Sequence, residues 1–68
     1  MNVRIKVEYK DKTYISTPIT DMNFDEISET IDAGTEKGFD KLYFNTEEGR
    51  IYFSGEVLKQ SIITILNK

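Results

Sequence analysis

MNFDEISETIDAGTEKG, residues 22–38, decides the fold class, because its apolar positions recur at helical spacing in a chain that otherwise alternates. Asn23 as N-cap places Glu26 at N3, a capping box with Asn in place of Ser or Thr. Met22 and Ile27 then occupy the N′ and N4 positions of a hydrophobic staple. Phe24, Ile27 and Ile31 follow on one face, continued by Gly34, while Asp25, Glu29, Asp32 and Glu36 form the opposite stripe. Gly34 or Gly38 is expected to end the helix after about three turns.

Strands are expected on both sides of this helix. Val3, Ile5, Val7 and Tyr9 alternate with Arg4, Lys6, Glu8 and Lys10, and TYISTPI (residues 13–19) reads as a second strand after a turn at Asp11-Lys12. A two- or four-residue loop would set Val7 and Ile5 on the face of Tyr14 and Ser16. A three-residue loop would pair Val7 with Ile15 and Val3 with Ile19; matching apolar to apolar favours the latter. Pro18 has no N–H to donate, so this strand should lie at an edge or be ending there. Residues 41–46 and 50–54 are expected to form a hairpin across the four-residue loop Thr46-Glu47-Glu48-Gly49, with Gly49 in the left-handed conformation, Phe44 opposite Ile51 and Leu42 opposite Phe53. GEVLKQ, capped by Ser54, reads as one helical turn, and SIITIL closes the chain as a strand apolar enough to be largely buried. The expectation is one α+β domain over residues 1–68, ordered β-β-α-β-β-(turn)-β. One helix would lie on a mostly antiparallel sheet of four or five strands, in two layers.

With 68 residues, no cysteine and no histidine, disulfides, thiolate metal sites and histidine general bases are all unavailable. The net charge of −3 is unevenly spread. Residues 1–20 and 50–68 each balance to +2, and residues 21–49 to −7. No apolar run approaches the roughly 20 residues of a membrane span. The alternating MNVRIKVEYK does not look like a signal peptide, so a cytoplasmic protein is expected. GTEKG lacks the GxxxxGK[ST] pattern of a phosphate loop, and Asp40, Glu47 and Glu48 lack the spacing of a calcium loop. No nucleophile–base–orienter set can be assembled, so the expectation is a protein with neither catalytic activity nor cofactor.

Two faces remain as candidate binding sites. Asp25, Glu26, Glu29, Asp32 and Glu36 form an acidic helix face suited to a basic partner, although a solvated helix face explains the same residues. Lys41, Tyr43, Arg50 and Tyr52, joined by Arg4 and Lys6 if Val3, Ile5 and Val7 point inward, supply the rings and cations of a single-strand nucleic-acid platform. A cross-strand Tyr43–Tyr52 pair that stabilises the hairpin, with Lys and Arg as solubilising neighbours, is the plainer explanation of the same residues. If the Pro-bearing strand or SIITIL is a bare sheet edge, two copies of the chain could also pair through it.

The opening VRIKVEYKDKTYIS hairpin, the NFDEISETI helix and the closing EVLKQSIITI together resemble the short uncharacterised accessory proteins encoded by phages, prophages and integrative elements of low-GC Gram-positive bacteria. The resemblance covers most of the chain. It implies a non-enzymatic modulator that binds a host or phage protein, with the Asp25–Glu36 stripe as the part that would carry the role. A nucleic-acid-binding module using the Lys/Tyr/Arg/Tyr face is the alternative.

Overall fold

Alternation, capping and turn chemistry produce seven elements in a computed structural model, which describes residues 3–67. They are β1 (Val3–Tyr9), β2 (Lys12–Ile15), α1 (Phe24–Lys37), β3 (Lys41–Thr46), β4 (Gly49–Ser54), α2 (Gly55–Lys59) and β5 (Ile62–Asn67). The class is α+β, with every strand pair antiparallel. The five strands divide into a three-stranded sheet, ordered β2-β1-β5, and the two-stranded β3-β4 hairpin. Among the described residues, hydrogen bonds join the two at one point: the Thr17 N–H and hydroxyl both donate to the Asn45 carbonyl, at 2.8 and 3.3 Å.

The capping box forms in full. The Asn23 side chain accepts from the Glu26 N–H at 2.9 Å, and the Glu26 carboxylate accepts from the Asn23 N–H at 3.0 Å. Of the two expected stops the helix takes the later, Gly38, whose N–H reaches the Gly34 carbonyl at 2.8 Å with φ of 90°. Gly34 is retained inside the helix for a packing reason, since a Cβ there would enter the ring of Phe39. Ile27 and Ile31 are buried, and Met22 packs on the same core.

The first hairpin corrects the favoured register. The turn is the two-residue Lys10-Asp11, and Val7 stands opposite Tyr14, not Ile15. Two distant contacts outweigh apolar matching. Tyr14 meets Phe53 edge-on at 5.4 Å, and the buried Ser16 hydroxyl accepts the Ile5 N–H at 2.9 Å. Ile15 consequently faces out and is 43% exposed. Yet Val3 does pair with Ile19, as the three-residue loop required. Three steps along β1 match four along the second segment, so a bulge between Ile15 and Ile19 absorbs the extra residue. There Thr17 turns to Asn45, and Pro18 has no N–H to leave unpaired. Ser16→Ala should strand the buried Ile5 N–H and cost about 1–3 kcal/mol, measured by urea denaturation. An unchanged midpoint would show that the hydroxyl is dispensable.

The second hairpin has the expected pairs, Phe44 with Ile51 and Leu42 with Phe53, but Thr46 also pairs with Gly49, so the loop is the two residues Glu47-Glu48 and not four, with Gly49 at φ 134° inside β4. Ser54 caps α2, its side chain accepting the Val57 N–H at 3.3 Å. The core gathers Val3, Ile5 and Val7 of β1, Ile27 and Ile31 of α1, Phe44 and Phe53 of the hairpin, and Leu58 of α2. β5 departs from expectation: Ile62 is 66% exposed and the rest of the strand is partly covered or exposed. It has one strand neighbour and one uncovered face, so an apolar sequence did not translate into full burial. Among the described residues, no helix is long and apolar enough to cross a membrane.

Candidate protein interface

Backbone direction sets which groups β5 offers outward. Ile5 points both its N–H and its carbonyl at the second strand, bonding the Ser16 hydroxyl and the Ser16 N–H at 2.9 Å each. Alternate residues of a strand point opposite ways, so Arg4 and Lys6 bond toward β5, where Leu66 and Thr64 stand opposite them. Ile63 and Ile65 therefore turn their N–H and carbonyl groups away from β1, toward the side on which no strand pairs. Their side chains face the core layer, against which they are partly buried.

α1 runs beside this edge, antiparallel to β5. Phe24 and Asp25 share a groove with Asn67 at one end of the strand. Thr35 and Glu36 share another with Ser61 and Ile63 at the opposite end. Thr30, on the other flank of the helix, lines a groove with Leu42 and Asn45 of β3. At about 100° per residue, Asp32 falls between Thr35 and Asp25 on the flank toward β5. Glu29 lies farther round, toward solvent.

Asp25, Glu29, Asp32 and Glu36 are all exposed. The ion pairs among the described residues are Lys6–Glu8 and Lys59–Glu56, both at 3.7 Å, and neither uses a carboxylate of α1. Glu26 differs from its neighbours because its carboxylate is engaged in the cap. The described residues contain no group of three carboxylates placed to hold a metal ion.

Lys41, Tyr43, Arg50 and Tyr52 share the exposed face of the β3-β4 hairpin. Their rings and cations largely serve one another. Tyr43 and Tyr52 lie 5.4 Å apart, and the Arg50 guanidinium sits 5.1 Å from the Tyr43 ring centre. Arg50 Nε also donates to Asn45 Oδ1 at 3.1 Å. Tyr43 thus meets two internal partners, leaving Tyr52, 62% exposed, as the more open ring. Val3, Ile5 and Val7 do point inward, but Arg4 and Lys6 lie on the outer face of the three-stranded sheet, and Arg4 shares a groove with Thr46, Glu47, Glu48 and Ile51 at the hairpin's turn and not with its tyrosines.

Sequence reasoning anticipated the acidic stripe and the hairpin face. It missed that Ile63 and Ile65 carry the outward-pointing amides. The signal for this lies in the first hairpin's register, which determines which β1 residues bond toward β5. No family model, curated protein or solved structure matches the chain.

Proposed function

We propose that the chain is a small non-enzymatic modulator, of the kind phages and mobile elements encode, that binds a host or phage protein through its α1–β5 side. One observation carries the reading: exposed carboxylates with no ion-pair partner among the described residues stand beside a strand whose outer edge no described strand pairs. A surface that satisfies neither its charges nor its backbone groups internally is well suited to recognising another chain. A cytoplasmic setting accords with this role.

The alternative, single-strand nucleic-acid binding, draws on Tyr52 with Lys41 and Arg50 beside it. It receives less support, because Tyr43 and Arg50 already stack on each other and the accessible carboxylates would repel phosphates. Affinity capture with three proteins separates the readings: wild type, an Asp25→Lys/Glu29→Lys/Asp32→Lys variant, and a Lys41→Glu/Arg50→Glu variant. The specific protein partner should be retained by wild type and the hairpin variant and lost by the helix variant. Partners indifferent to the helix charges would sink the proposal. Salt-sensitive binding of wild type to oligo(dT), lost in the hairpin variant, would favour the alternative.

A further inference from the structure

We infer that the open edge of β5 takes up an extended partner segment in which basic and apolar residues alternate, joining as a fourth strand beside the acidic flank of α1. This inference rests on the protein-binding reading and specifies its partner. Ile63 and Ile65 offer an outward N–H and carbonyl each, the spacing that an incoming strand needs to continue the ladder.

The side chains of that strand are constrained on both faces. Residues opposite Ile63 and Ile65 would point to the α1 side, because paired residues share a face. There they would meet the flank bearing Asp25 and Asp32, with Phe24, 37% exposed, at its Asn67 end. Lys or Arg suits these positions, since its stem covers apolar surface while its charge reaches a carboxylate. The intervening residues would lie on the outer face, next to Ile62 and Leu66, where apolar side chains gain burial. Lys37 and Lys59 stand near the Ser61 end, so the basic residues should concentrate toward Asn67.

A second copy of the chain is the competing occupant, and charge opposes it. Antiparallel β5–β5 pairing about a two-fold axis would bring two acidic α1 flanks to the same junction. A basic segment converts that repulsion into attraction.

The test uses a fluorescein-labelled octapeptide alternating Lys and Val, followed by anisotropy, with a Glu/Val octapeptide as control. The Lys/Val peptide should bind and weaken with salt, and the control should not bind. Ile65→Pro removes an outward amide and no ladder bond to β1, so it should abolish binding while circular dichroism stays native. Asp25→Lys with Asp32→Lys should weaken binding about tenfold. Should Ile65→Pro not fold, hydrogen exchange of the Ile63 and Ile65 amides in the wild type gives the same answer, with slowing expected on peptide addition. Absent binding, equal affinity for Ile65→Pro, unprotected amides in the bound state, or a β5-paired dimer that excludes the peptide would each overturn the inference. If a protein partner is nevertheless released by charge reversal on α1, the broader reading survives and strand addition alone falls.

Discussion

Phe53→Ala is expected to remove a large part of the protein's stability at 25 °C. Phe53 is 5% exposed, with its ring centre 5.3 Å from that of Phe44 and 5.4 Å from that of Tyr14. It is therefore where the hairpin meets the three-stranded sheet, to which, among the described residues, hydrogen bonds otherwise join it around Thr17 and Asn45. Removing a buried Phe side chain costs about 3–5 kcal/mol. A domain of this length has a total stability of roughly 3–10 kcal/mol. With no cysteine in the chain, no disulfide limits the loss. Far-ultraviolet circular dichroism and urea titration would register the loss. A cooperative transition within about 1 kcal/mol of wild type would show that the two sheets do not depend on this contact.

Gly55→Ala is the second large effect, and its sign is diagnostic. Gly55 opens α2, where helix propensity alone predicts that Ala gains about 0.5–1 kcal/mol. The local packing predicts the reverse, because a Cβ at Gly55 would run into the backbone carbonyl oxygen of Phe39. A backbone atom cannot rotate aside, so β4 and the Phe39 segment would have to separate, at a cost of about 1–3 kcal/mol or more. Gly34→Ala meets the Phe39 ring instead, which can swing, and it recovers helix propensity. Its loss should be smaller. Thermal melts of the two variants side by side would check the ranking, and a stabilised Gly55→Ala would mean that Phe39 does not pack against this turn.

What could be read from the sequence divides by range of interaction. The capping box and the Ser54 cap are each completed within a few residues and form as expected, as do the cross-strand pairs of the second hairpin, although its loop is two residues and not four. The β1–β2 register differs from the one apolar matching favours because it depends on Phe53, 39 positions beyond Tyr14, and on a serine hydroxyl standing in for a backbone acceptor. Helix length was underestimated for a similar reason: Gly34 looks like a stop until Phe39 is seen occupying the space of its missing side chain. The acidic stripe was legible because carboxylates at helical spacing need no tertiary information. The edge position of β5 was not, since IITIL would serve equally well in a central strand.

We propose that recognition belongs to the α1–β5 side and not to the tyrosine-bearing hairpin. Residue-resolved hydrogen exchange, comparing the chain alone with the chain saturated by its captured protein partner, tests it most directly. Slowed exchange at Ile63 and Ile65, with no comparable change in Tyr43 or Tyr52, is the predicted result. Protection confined to Lys41–Ser54, with Ile63 and Ile65 exchanging as before, would contradict it.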